Sequence, residues 1–190
     1  GDHRDLHSFP TRRSSDLVYK APQEIVQDLL DVVSKNGRLL LNFGPKPDGT
    51  LADKDVEILH KLADWMRVND ECIHGTGLWR INQEGPTKIQ EGQFADGASR
   101  NFTSEDFRFT CRGGNIYAAC MACPADGKLH IRSLREADAS HLPLWHGIVR
   151  KVEVLGNPAQ AAWTRDGEAL HVDLGTYRSD MPVVVKIITD

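Results

Sequence analysis

The stretch VVSKNGRLLLNFGPKPDGT, residues 32–50, decides how the first part of this 190-residue chain is read. Its opening residues finish an amphipathic pattern: Ile25, Leu29, Val32 and Val33 recur at helical spacing, Pro22 suits a first-turn position, and Asn36-Gly37 supplies a left-handed stop. The spacing predicts one helix beginning near Lys20. The run Arg38-Leu39-Leu40-Leu41-Asn42-Phe43 is nearly continuously apolar and closes on Gly44-Pro45, the pattern of a strand buried on both faces in a parallel sheet. Beyond the Lys46–Leu51 loop, Thr50 with Asp53 predicts a capping box, and the stripe Ile58, Leu59, Leu62, Trp65, Met66 marks a second helix. A lone strand between two helices cannot cover two apolar faces. Residues 18–80 are therefore expected to be the last helix, strand and helix of a larger parallel α/β assembly, a C-terminal remnant of a (β/α)8 barrel.

The character changes after about Trp79. Phe107–Cys111, Ile116–Met121, Leu129–Leu134, Val149–Leu155, Ala169–Leu174 and Val183–Ile188 are short and β-rich, and turn signals such as Arg112-Gly113-Gly114-Asn115, Ala125-Asp126-Gly127 and Arg165-Asp166-Gly167 separate them. Alternation is plain where Leu170, Val172 and Leu174 are set against His171 and Asp173. Residues 81–190 thus read as an antiparallel β-sandwich, with Ile81–Ser104 as linker and first edge strand. The whole is α/β followed by β.

Residues 1–17, GDHRDLHSFPTRRSSDL, have neither helical period nor strand alternation. They resemble the translation of a sequencing-adapter oligonucleotide, and are expected to be a non-native segment preceding an arbitrary break near Val18.

The composition narrows the function classes. Lys and Arg number 23 against 27 Asp and Glu, giving a net charge of −4 spread over sign-mixed stretches, so there is no electrostatic footprint for nucleic acid. The longest apolar runs, Leu39–Leu41 and Val183–Val185, fall far short of the roughly 18 residues of a membrane span. Neither nucleic acid nor membrane is expected as a partner.

The residues 32–50, followed by LADWMRVNDECIHGT at 62–76 and by Leu78-Trp79, resemble the end of the catalytic domain in the α-L-fucosidase family of glycoside hydrolases, which reads close to VVSKNGNLLLNIGPxxDGT, then WLxxNGEAIYGT and a Trp. Departures are Arg38 for Asn, Phe43 for Ile, Asp70 for Gly, Cys72 for Ala and His74 for Tyr. The resemblance spans residues 20–79 and implies a barrel followed by a sandwich, α-linked fucosides or fucosylated glycans as substrate, no cofactor, no metal, and a periplasmic, extracellular or lysosomal-type setting. It also implies a retaining mechanism by two carboxyl groups about 5 Å apart. Both precede Lys20 in the family pattern, so no residue here matches a catalytic position, and this polypeptide is expected to be inactive alone. Barrel active sites lie at the C-terminal ends of the strands, which leaves Asn42 and the Gly44–Thr50 loop as local candidates for lining the sugar pocket.

The remaining signals are weaker. Cys120-Met121-Ala122-Cys123 has the C-x-x-C spacing of a redox dithiol or half a zinc site, but it runs from a strand into Pro124, and Cys72, Cys111 and His130 show no second paired spacing. These cysteines are expected to be buried or strand-end thiols. His141 and His146 flank Trp145 in a loop. Asn101-Phe102-Thr103 has the form of an N-glycosylation acceptor. The rival to a hydrolase fragment is a carbohydrate-binding or purely structural sandwich with Trp145 or Trp163 as a sugar platform.

Overall fold

The computed structural model describes residues 19–88, 101–138 and 142–190. Two helices, α1 (Pro22–Ser34) and α2 (Asp53–Asn69), lie against one face of a sheet sandwich. The strands are β1 (Gln83–Glu84), β2 (Phe107–Arg112), β3 (Asn115–Cys120), β4 (Lys128–Ile131), β5 (Val149–Val154), β6 (Ala162–Arg165), β7 (Leu170–Asp173) and β8 (Val183–Thr189). They form a five-stranded sheet in the order β1-β2-β3-β8-β5 and a three-stranded sheet in the order β4-β7-β6, every pairing antiparallel.

The period of two along the strands builds both cores at once. Phe107, Phe109, Ile116, Ala118, Val183, Val185 and Ile187 point between the sheets, where they meet Leu129, Ile131, Leu170 and Val172. The intervening residues Tyr117, Ala119 and Val184 point the other way and pack under the helices with Val26, Leu30, Trp65 and Cys72. A strand covered on both sides needs apolar residues at both parities, which is why β3 and β8 lack hydrophobic-polar alternation. β2 and β3 turn through Gly113 and Gly114, both at positive φ (57° and 84°), the two-residue geometry that follows the twist of a hairpin.

α1 matches its expected start and stop: Pro22 is at its first turn and Asn36 adopts φ 61° just beyond its end. Its buried face differs from the expected one. Of the expected stripe Ile25 is buried but Leu29, Val32 and Val33 are only half-buried, whereas Val26 and Leu30 are buried together with Gln27, Asp31 and Ser34. Polar residues can occupy that face because the sandwich supplies partners: Gln27 Nε2 donates to the Met121 carbonyl at 2.8 Å, and Asp31 meets Arg108.

Three expectations fail. Arg38–Phe43 is not a strand but irregular and mostly exposed, with Leu40 at 87% exposure. An extended segment becomes a strand only when a neighbour takes its backbone hydrogen bonds, and none of the described residues does so here. Among the described residues, the segment expected to be a barrel remnant forms two helices and no strand. Thr50 does not cap α2. Its N–H and hydroxyl both bond Asp48 Oδ1, at 2.9 and 2.7 Å, and Ala52 stands at the N-cap. Finally, the Leu129–Leu134 strand stops at Ile131 and passes into a 3₁₀ turn, Arg132–Leu134. Within Ile81–Ser104, Gln83–Glu84 forms the edge strand, and residues 89–100 lie outside the described residues.

Candidate functional site

Two regions carry functional information, the joint between the helices and the sandwich and a cavity at the sandwich edge. At the joint, the face of β2 turned toward the helices presents Arg108 and Thr110. Arg108 Nε lies 2.6 Å from Asp31 Oδ1, its Nη1 donates to the Phe107 carbonyl at 3.0 Å, and its guanidinium lies over the Phe102 ring at 5.2 Å. Thr110 donates its hydroxyl to the Cys72 carbonyl, and Trp65 Nε1 donates to the Pro182 carbonyl at 2.8 Å. Glu71 accepts from the Tyr117 hydroxyl (3.0 Å) and Lys186 Nζ (2.6 Å). Burial, helped by the Glu71 carboxylate, raises the Tyr117 phenol to about 12, so it is a donor at any physiological pH. These bonds from residues 31, 65, 71 and 72 to strands far along the chain fix α1 and α2 on the sheet.

In the connection between the two helices Leu39, Leu40 and Leu41 are exposed, as is Val56 on α2. Asn42, the expected pocket-lining residue, is exposed within this irregular stretch.

The cavity lies where the edge strand β5 of one sheet faces the edge strand β6 of the other. It has a volume of about 360 Å³, and Trp145 and Trp163 both line it, as do Glu136, His146 and Arg165. Trp163 and Arg165 alternate on β6 with the exposed Ala162 and Thr164, so both turn inward. Arg165 ties the rim together: its Nε donates to the Leu134 carbonyl (2.5 Å), Nη1 to Gly147 (2.9 Å) and Nη2 to Arg135 (3.0 Å) and Trp145 (3.3 Å). Its guanidinium also lies 5.0 Å from the centre of the Trp145 ring. Burial pulls the Arg165 guanidinium below its ordinary value, while Glu136 works in the opposite direction. Gly147 is required by contact: a Cβ there would fall 1.9 Å from Trp145 Cζ2. The sequence named the two tryptophans separately. Their meeting was not legible, because it depends on β6, whose AWTR segment carries no strand pattern strong enough to read.

The cysteines behave as small apolar groups. All four are free. Cys72 and Cys120 are buried, and burial pushes both thiols up, Cys120 to about 12. Among the described residues no three His, Cys, Asp or Glu side chains are grouped to hold a metal ion. His130 and His171 do meet across β4 and β7, Nδ1 to Nδ1 at 2.7 Å, and His171 Nε2 lies 3.0 Å from Asp166 Oδ2. His141 lies outside the described residues. In the Asn101-Phe102-Thr103 triplet, the Thr103 hydroxyl donates to Asp106 Oδ2 at 2.9 Å.

Comparisons with known proteins agree with the resemblance seen in residues 20–79. The family model described as alpha-L-fucosidase matches residues 4–71, a stretch that starts inside the segment set apart above by its composition. The tissue alpha-L-fucosidase of Macaca fascicularis is 31% identical over 132 residues, covering 68% of this chain and 24% of that protein. The plasma alpha-L-fucosidase of Homo sapiens is 38% identical over 84 residues, covering 44% of this chain and 18% of its own length. A solved Thermotoga maritima alpha-fucosidase, in complex with a mechanism-based inhibitor, superposes with a TM-score of 0.63 at 25% identity over 89% of this chain and 34% of that one. The chain therefore spans only about a fifth to a third of these relatives, and its antiparallel sheets resemble their C-terminal domain. The sequence pattern, the sandwich and these matches agree: the chain belongs to the α-L-fucosidase family of glycoside hydrolases.

Proposed function

We propose that this chain is the structural C-terminal part of an enzyme that hydrolyses α-L-fucosides with retention of configuration, and that its helices dock the sandwich onto a catalytic barrel contributed by the remainder of that enzyme. The carrying observation is the contrast between the sealed helix–sandwich joint and the exposed leucine run that connects the helices. Toward the sandwich, α1 and α2 are sealed by buried bonds such as Arg108–Asp31 and Trp65–Pro182. Between the helices Leu39–Leu41 are exposed, and three successive leucines outside any core call for a partner of barrel-strand chemistry. In the assembled enzyme Arg38–Phe43 becomes a barrel strand, and Asn42 at its C-terminal end lines the sugar pocket.

The two carboxyl groups of the mechanism belong to the rest of the enzyme, so this chain holds no catalytic residue. A nucleophile and a general acid must be held together in a fixed geometry before either is of use. The purified chain should therefore release no p-nitrophenol from p-nitrophenyl α-L-fucoside. Release above the uncatalysed background would overturn the reading.

A further inference from the structure

We propose that the cavity between the β5 and β6 edges of the sandwich binds an uncharged pyranose ring of a glycan, with Trp145 and Trp163 as stacking platforms and Glu136 and His146 as partners for its hydroxyl groups. The volume of about 360 Å³ lies at the lower end of the ~300–1,000 Å³ range of small-ligand sites. Two of the four tryptophans of the chain line this one open cavity. A half-buried indole offers a flat apolar face on which the C–H face of a sugar ring can lie.

The rim is held before any ligand arrives. Arg165 joins carbonyls of residues 134, 135, 145 and 147, so the Trp145 loop and the segment after β4 are bonded to the same guanidinium on β6. Four of its five N–H groups are taken up in this way, and the cation lies against the Trp145 ring. Its role is thus to set the platform rather than to seize an anion. The exposed Glu136 carboxylate at the mouth disfavours phosphorylated or carboxylated ligands, and the Arg165 cation disfavours amines. A ligand that is neutral, planar on one face and rich in hydroxyls satisfies all of these groups, since a carboxylate accepts from two hydroxyls and an imidazole can both donate and accept.

The test is a titration of the full chain, isotopically labelled with ¹⁵N, with methyl α-L-fucoside, lactose or cellotriose, following the four indole N–H signals. The expected result is saturable movement of the Trp145 and Trp163 signals with at least one of the three sugars, while Trp65, buried under the helices, and Trp79 stay still. Which sugar acts identifies the ring that is recognised. Trp163→Ala should weaken that binding by at least about tenfold. Glu136→Gln and His146→Ala, both at exposed positions where folding is not at stake, should each weaken it roughly threefold to tenfold. Silence of both signals at ~10 mM of every sugar, or affinity unchanged in both exposed-site variants, overturns the proposal. None of these readouts involves hydrolysis, so the outcome is independent of the catalytic reading above.

Discussion

Arg108 on β2 and Asp31 on α1 form a buried ion pair, Nε to Oδ1 at 2.6 Å with side-chain exposures of 1% and 8%, across 77 positions of sequence. The second Asp31 oxygen accepts from Lys35 at 2.9 Å, and Arg108 Nη2 has no hydrogen-bond partner among the described residues. Removing one member of a buried pair strands the other charge, which costs about 3–5 kcal/mol, whereas replacing both by apolar residues of similar size is often neutral. Asp31→Leu should therefore destabilise the chain by about that amount in urea unfolding, and Asp31→Leu with Arg108→Met should recover most of it. A double variant as unstable as the sum of its singles would show that the pair does not join α1 to the sheet in this way.

Leu39–Phe43 and Leu170–Leu174 look alike in apolar content, yet β7 is hydrogen-bonded on both sides while Leu39–Phe43 pairs with none of the described residues. Amide exchange follows the opening free energy of each bond. The Leu39–Phe43 amides should exchange within seconds, and those of Leu170, Val172 and Leu174 should persist orders of magnitude longer. Equal protection would mean that the leucine run is covered in solution. A companion change, Leu40→Glu, should raise solubility without altering the unfolding free energy by more than about 0.5 kcal/mol, since that side chain is 87% exposed.

The contrast between those two segments also explains which parts of the fold were legible in the sequence. Pro22, Asn36-Gly37, Gly113-Gly114 and the Leu170-Val172-Leu174 alternation act over a few residues, and the elements they predict are present. The burial of Gln27 and Asp31 was not legible, because their partners Met121, just past the end of β3, and Arg108 on β2 lie 94 and 77 positions away. Arg38–Phe43 carries a strand pattern that the structure does not express, because none of the described residues takes its backbone hydrogen bonds. The Trp145–Trp163 cavity was half legible: each indole was noticed, but their convergence depends on β6 facing β5 across the sandwich edge.

Cys120 and Cys123 share a C-x-x-C spacing but not an environment. Cys120 is buried, its Sγ lies 3.0 Å from the Ala122 carbonyl, and burial raises its thiol to about 12, whereas Cys123 is half-buried. The thiolate is the reactive form. At pH 8 an alkylating reagent should label Cys123 and Cys111 first, with Cys120 and Cys72 reacting only on unfolding. Prompt labelling of Cys120 in folded protein, read by mass spectrometry of the peptides, would restore the redox reading.

Asp166 closes the β6–β7 turn. Its Oδ1 accepts from the backbone N–H groups of Glu168 (2.8 Å) and Ala169 (3.1 Å), its Oδ2 lies beside His171 Nε2, and these donors lower its carboxyl to about 2. Hydrogen bonds to the charged form favour ionisation, so the folded state holds this proton less tightly than the unfolded chain, where the value is ~4. The stabilisation is present above pH ~4 and disappears as the pH falls to about 2. Asp166→Asn loses one charge-assisted anchor of the turn but cannot titrate. The variant should be less stable than the parent at pH 6, and the gap should close progressively between pH 4 and pH 2. A gap that stays constant down to pH 2, measured by urea unfolding at each pH, would show that the Asp166 charge does not hold the turn that carries Arg165 into the cavity rim.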